Sequence, residues 1–136
     1  MTRYVNKGHI ARASLESTAF QTRDVVEAVV ADTGRELEEI RVDGGMTRDD
    51  LLMQFQADIL GIPVIRPKVV ETTALGAAYA AGIAVGFWSG EQDVIDNWAE
   101  DKRWEPAMAD DERDRQYRLW KKAVTKTFDW VDDDVV

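Results

Sequence analysis

The stretch IRVDGGMTRDDLLMQFQADIL, residues 40–60, decides the fold of this chain. It opens with a short β-prone run, Ile40 to Val42, and turns at the glycine pair Gly44-Gly45. Thr47-x-x-Asp50 fits a capping box, so we predict that a helix begins at Thr47. Helical spacing then places four apolar side chains on one side of that helix, namely Leu51, Leu52, Phe55 and Ile59.

Paired glycines between a strand and a helix make this corner a candidate nucleotide site. Glycine adopts backbone conformations closed to other residues and lets a ligand approach, because no side chain stands in the way. The following helix points its free N–H groups and the positive end of its dipole at the same place. Asp43, just before the glycines, suits either a phosphate or magnesium site or local backbone hydrogen bonds. A purely structural turn is an equally good interpretation of these local features.

Composition excludes several classes of protein. The 136 residues allow one domain or part of a larger one. A formal charge of −9, from 26 acidic and 17 basic residues, argues against nucleic acids and anionic membranes as partners. With no cysteine, disulfides, thiolate zinc sites and cysteine nucleophiles are impossible. The single histidine, His9, cannot build a metal cluster, and we expect it to be solvated or to cap a helix.

No targeting or membrane-spanning segment is predicted. Residues 1–10 lack the apolar core of a secretory signal. The longest apolar run, Ala74 to Trp88, is too short and too rich in alanine and glycine to cross a bilayer. We therefore expect a cytoplasmic protein.

The remaining patterns predict an α/β fold with three main helices and a small sheet of at least two strands. A long first helix ends at Gly34, and two proline residues suggest that the second strand lies at an edge or ends there. The segment before the last helix is predicted to be irregular, with two tryptophans that anchor it to the core. These elements are the helices Asn6–Thr33, Ala74–Val85 and Asp110–Val131, the strand Ile62–Pro67 and the irregular segment Ser89–Pro106, anchored by Trp98 and Trp104.

Two of these helices carry further expectations. Small residues at spacings of four in the third helix, such as Gly76 with Ala80 and Ala78 with Gly82, predict close packing against a sheet or another helix. Such a face belongs to a core or to a domain that holds a nucleotide between helices. The last helix is predicted to pack through an apolar stripe, with partner binding as the alternative, and to lead into a solvated tail. That stripe comprises Tyr117, Trp120, Val124, Phe128 and Val131, and the tail is Asp132-Asp133-Asp134.

The chain resembles a known family from about Thr2 to Trp130. The motifs RVDGGMTRDDLLMQFQADILG, residues 41–61, and ETTALGAAYAAGIAVGFW, residues 71–88, are similar to the C-terminal portion of the glycerol kinases. Those enzymes are FGGY carbohydrate kinases, with the actin and hexokinase type of ATPase fold. His9-Ile10 and residues 13–16 match only the second half of a family signature whose glycine half is missing. We therefore interpret residues 1–136 as a partial FGGY kinase C-terminal domain.

The resemblance implies transfer of the γ-phosphoryl group of MgATP to glycerol, with ATP and Mg²⁺ as cofactors of the complete enzyme. In the family, the glycerol-binding domain, the catalytic aspartate and the first phosphate-binding hairpin lie upstream, so we expect no catalytic or metal-binding residue here. By position, Gly44, Gly45 and Asp49 would bind the cofactor, with Gly45 and Asp49 touching adenosine. The family usually has asparagine where Asp49 stands, and an ionised aspartate accepts hydrogen bonds but does not donate them.

From these inferences we expect a fragment of a glycerol kinase that is inactive alone, with a companion N-terminal polypeptide as its candidate partner. Two alternatives stay open. One is a non-catalytic nucleotide-binding or structural remnant, and the other is a fragment of a kinase for a related polyol or sugar. A partial domain should also expose apolar surface and self-associate.

Overall fold

The computed structural model describes residues 2–129, which form an α/β fold with one small sheet. The α/β fold class is confirmed, while the helices within this range outnumber the three predicted. In chain order the elements are α1 (Lys7–Thr33), β1 (Ile40–Arg41), a 3-10 helix (Gly45–Arg48), α2 (Asp50–Leu60), β2 (Val64–Pro67), α3 (Thr72–Ala84), α4 (Glu91–Asp96), β3 (Glu100–Trp104) and α5 (Asp110–Thr125).

The sheet has the order β1-β2-β3, so β2 is its central strand. β1 runs parallel to β2, with Ile40 opposite Val64, and β3 runs antiparallel to β2. The prediction that the prolines place this strand at an edge is therefore wrong. Pro67 does end the strand as predicted, and the pairing is irregular between Arg66 and Pro67, where the missing N–H would interrupt the ladder.

β3 corrects the prediction that the segment Ser89–Pro106 is irregular, because the segment contains both α4 and β3. The sequence of β3, EDKRW, is almost entirely charged and shows no apolar alternation. Charged side chains are typical of an edge strand, where they discourage pairing with other chains. Trp104 at its end is buried, so its predicted anchoring role is confirmed, whereas Trp98 is partly exposed under the guanidinium of Arg41.

α1 has the ends that the sequence predicts. The Asn6 side chain accepts hydrogen bonds from the N–H groups of Gly8 and His9, and His9 Nδ1 accepts one from the Asn6 N–H at 3.2 Å. His9 therefore completes a capping box, which confirms its predicted structural role. At the other end Gly34 adopts a left-handed conformation with φ of 65° and closes the helix.

α2 provides the centre of the core. Leu52, Phe55 and Ile59 are buried as predicted, whereas Leu51 faces solvent. α1 packs along one side of α2 through Leu15, Ala19 and Phe20, and β2 packs against another side through Val64. Burying each large side chain stabilises the fold by roughly 1.5–3 kcal/mol. The remaining core members are Met53, Ala57 and Trp104, with Ile40, Val42, Leu60 and Met108 partly buried beside them.

α3 departs from the expectation of a closely packed helix. Its alanine and glycine faces are largely exposed, and of its residues only Gly82 is buried, beneath the ring of Trp88. Apolar side chains that follow it, such as Val85 and Phe87, are exposed too. The apolar surface expected for a partial domain is therefore present at this helix. No helix within residues 2–129 is long and apolar enough to cross a membrane.

α5 is a packing element, as predicted, but its stripe ends early. The helix stops at Thr125, and Phe128 beyond it is exposed. Val131 and the predicted tail at residues 132–134 lie outside the described residues.

Asp24 holds α5 against α1. Its carboxylate accepts hydrogen bonds from the Tyr117 hydroxyl at 2.6 Å, the Trp120 Nε1–H at 2.7 Å and the Lys121 ammonium at 3.2 Å. Beside it, the rings of Phe20 and Trp120 stack 5.3 Å apart. Burial alone raises the pKa of Asp24, but these three hydrogen bonds outweigh it and hold the pKa below its usual 3.8. The charged form of Asp24 therefore stabilises the fold.

We expect Asp24→Asn to lower the free energy of unfolding by about 1 kcal/mol at pH 7, because the charge-assisted hydrogen bonds are weakened. Since the pKa is lower in the folded chain, this contribution is present above pH 3.8 and is lost as the pH falls below it. Urea denaturation at pH 7 and below pH 3.8 should show the difference between wild type and variant shrinking. Asp32→Asn, at an exposed position on the same helix, is the control. It should leave the free energy of unfolding nearly unchanged at both pH values. An equal difference between wild type and Asp24→Asn at both pH values would contradict the conclusion that the charged form of Asp24 stabilises the fold.

Candidate functional site

The two glycines of the corner have different roles: Gly44 makes the tight turn, and Gly45 leaves the surface open. Gly44 has φ of 84°, and its N–H donates to the Val70 carbonyl at 2.9 Å. A Cβ added at Gly45 would meet no atom within 4 Å, so the surface above Gly45 is open. Gly44 is thus required by the backbone, and Gly45 leaves room for a ligand.

Thr47 is buried and stabilises the corner through hydrogen bonds. Its hydroxyl donates to the Gly44 carbonyl at 2.7 Å, and its own carbonyl accepts from Arg66 Nη1 at 2.8 Å. The prediction that Thr47 starts the helix in a capping box with Asp50 is therefore wrong. Residues from Gly45 to Arg48 form a 3-10 turn instead, because the Thr47 side chain bonds back to the corner.

Asp49 is the actual N-cap of α2. Its Oδ1 accepts the Leu52 N–H at 3.0 Å, which satisfies one of the free donors at the helix start. Asp49 is half-buried and lines the same cleft as Gly45. The structure thus brings together Gly45 and Asp49, two of the three predicted cofactor-binding residues. Gly44 supports the cleft from behind and is not part of its lining.

The cleft beside Gly45 has a volume of about 390 Å³. Leu15 of α1 and Leu52 of α2 form apolar walls, while Asp49 contributes a carboxylate and Arg48 a guanidinium at the rim. Apolar walls with a few polar groups suit a flat ring carrying hydroxyls. The chemistry available is binding and orientation. Leu15 and Arg48 were missed by the sequence interpretation, although Arg48 lies inside the quoted motif.

Two further acidic residues, Asp43 and Glu16, have structural partners. Asp43 accepts a hydrogen bond from the Thr72 hydroxyl, which ties the corner to the start of α3 rather than to local backbone groups. Glu16 pairs with Arg12 one turn earlier on α1. Within residues 2–129, no three histidine or acidic side chains gather in a geometry that could hold a metal ion.

A known protein family matches the greater part of this chain. The family model for the C-terminal domain of the FGGY family of carbohydrate kinases matches residues 1–85, which include the corner and its cleft. The chain belongs to the FGGY family of carbohydrate kinases. It is 73% identical over 135 residues to the glycerol kinases of Beutenbergia cavernae and Renibacterium salmoninarum. These matches cover 99% of this chain but 27% of each relative, so the chain spans about a quarter of their length.

Solved structures of this FGGY kinase family agree with the fold. The glycerol kinase of Plasmodium falciparum, solved with ADP, superposes with a TM-score of 0.82 at 37% identity, covering 94% of this chain and 26% of that one. The xylulose kinase of Rhodospirillum rubrum gives a TM-score of 0.74 at 29% identity, with 93% and 26% covered. The described elements are therefore those of an FGGY C-terminal domain.

The glycine pair offers a matched test of this geometry. We expect Gly44→Ala to lower the free energy of unfolding by about 1–2 kcal/mol, because alanine is strained at a left-handed φ. Gly45→Ala should change it by less than about 0.5 kcal/mol, since the added methyl group meets nothing. Urea denaturation of both variants measures the difference. Equal changes in the free energy of unfolding at the two positions would refute the claim that only Gly44 is required by the backbone conformation.

Proposed function

We propose that this chain supplies one wall of the nucleotide site of an ATP-dependent glycerol kinase, which converts ATP and glycerol to ADP and glycerol 3-phosphate in the cytoplasm. The observation that carries the proposal is the open Gly45–Asp49 cleft in a chain 73% identical to glycerol kinases. The complete enzyme uses Mg²⁺ with ATP to neutralise phosphate charge. We assign no magnesium ligand and no catalytic base to this chain.

The cleft residues would orient the adenosine part of ATP. Leu15 and Leu52 provide an apolar surface for the base, and Gly45 lets it approach the backbone. One oxygen of Asp49 is bonded to the Leu52 N–H, which leaves the other to accept a hydrogen bond from a ribose hydroxyl. Positioning of this kind contributes to phosphoryl transfer by fixing the reactants in line.

Glycerol is favoured over another polyol or sugar by sequence similarity. Identity to the glycerol kinases reaches 73%, and among the solved structures it is 37% to the glycerol kinase and 29% to the xylulose kinase. The residues that would contact the sugar or polyol belong to the part of the relatives that this chain does not match, so the preference rests on the family resemblance of the whole sequence.

Binding of ADP to the chain, measured by calorimetry, tests the nucleotide wall. Asp49→Asn should tighten binding by about threefold or more, because it removes a negative charge and adds a donor. Asparagine is also a good N-cap, so the variant should fold normally. Gly45→Leu should weaken binding at least about tenfold by filling the cleft, while Gly76→Leu on exposed α3 should not. No difference among the variants would place any bound nucleotide elsewhere.

Complementation tests the fragment hypothesis. We expect the purified chain to show no glycerol-dependent ATP turnover and to self-associate through the apolar surface of α3 and of Val85 and Phe87, which follow it. Co-expression with the preceding portion of the Beutenbergia cavernae glycerol kinase should restore turnover and reduce self-association. Turnover by the chain alone would overturn the claim of inactivity. Nucleotide binding without turnover in the reconstituted pair would favour a non-catalytic remnant.

A further inference from the structure

A second cleft, of about 450 Å³, opens at the carboxyl end of β2, next to the glycine corner. Five of its six lining residues are charged, and Val70 is the only apolar one. The carboxyl ends of parallel strands are where α/β folds commonly bind ligands. The lining residues come from the 3-10 helix, the start of α2, β2 with the segment after it, and β3. They are Arg48, Asp50, Arg66, Lys68, Val70 and Asp101.

The two carboxylates of this cleft are already neutralised within the protein. Asp101 pairs with Arg66 at 2.6 Å, and Asp50 pairs with Lys102, a neighbour of the cleft, at 2.8 Å. Arg66 also donates to the Thr47 carbonyl, so its guanidinium is fixed in place by its neighbours. The acidic groups therefore leave no net negative charge in the cleft.

The two other cations of the cleft have no such partner. Among the described residues, neither the Arg48 guanidinium nor the Lys68 ammonium makes an ion pair or a side-chain hydrogen bond. The cleft thus carries about two uncompensated positive charges in a chain whose net charge is −9. A guanidinium fork beside an ammonium group is the combination that binds phosphate groups well.

We propose that this cleft is an anion site for a small phosphorylated molecule, with Arg48 and Lys68 as its phosphate-binding residues. The volume suits a ligand of the size of a sugar phosphate, and the charged, open walls do not suit an apolar one. The site is separate from the Gly45 cleft, although Arg48 lies at the rim of both. The Gly44 N–H bonds to the Val70 carbonyl, so the turn that supports the Gly45 cleft is joined to a lining residue of this one.

Titration of the ¹⁵N-labelled chain with inorganic phosphate, at constant ionic strength set with chloride, tests the site. We expect saturable amide shifts at residues 68–70. Lys68→Ala and Arg48→Ala should each weaken binding at least about threefold, since each removes one charge–charge contact. Both side chains are exposed, so these variants should keep the dispersed spectrum of the folded chain. Lys122→Ala, an exposed lysine on α5, is the matched control and should bind like wild type.

Two further titrations identify the source of the phosphate and test whether this site is separate from the Gly45 cleft. Glucose 6-phosphate binding more tightly than inorganic phosphate would indicate a phosphorylated metabolite, and equal binding would indicate phosphate itself. Gly45→Leu should leave phosphate binding unchanged even where it abolishes ADP binding. Shifts that grow linearly without saturation, or equal weakening by Lys122→Ala, would overturn the proposal, because both indicate general charge attraction. Loss of phosphate binding in Gly45→Leu would overturn the separation of the two sites.

Discussion

The hydrogen bond from the Gly44 N–H to the Val70 carbonyl, 2.9 Å long, joins the turn after β1 to the segment after β2. Gly44 reaches it only with a left-handed φ, which a residue with a Cβ adopts at a cost. The chain then turns tightly enough for Thr47 to be buried and to bond back to the Gly44 carbonyl. That geometry sets the start of α2, which packs against β2 and β3, and the core forms around α2. The cleft at Gly45 exists because the same turn needs no side chain there.

The parts of the fold that the sequence predicts correctly are those determined by local chemistry. Asn6, His9 and Gly34 define the ends of α1 through bonds within one turn, and the strand–glycine–helix order follows from residues 40–60. The start of α2 was misplaced for a different reason. Thr47 and Asp49 are both good capping residues, and Thr47 is kept out of the N-cap position by its hydroxyl bond to the Gly44 carbonyl together with the bond from Arg66 to its own carbonyl. Arg66 is nineteen residues away, so no local pattern contains that information.

β3 and α3 show two further limits of hydrophobic patterning. β3 carries four charged residues because it is an edge strand that pairs with β2 on one side, so the alternation that marks a half-buried strand is absent. In α3 the apolar pattern is present but the burial that it predicts is absent. A helix that is apolar all round is normally buried, yet in this chain most of its surface is exposed. Its composition fits a setting in which other protein covers it, which agrees with a chain spanning about a quarter of the length of its relatives.

The two clefts illustrate how charge acts on different length scales. A net charge of −9 governs the approach of large polyanions such as nucleic acids, and it argues against them. Salt screens that overall field within about 10 Å, so a small anion responds mainly to the side chains that it touches. In the cleft at the end of β2, the acids are paired with Arg66 and Lys102, while Arg48 and Lys68 stay available. An acidic chain can therefore hold a phosphate group, and only the spatial arrangement of these residues reveals where.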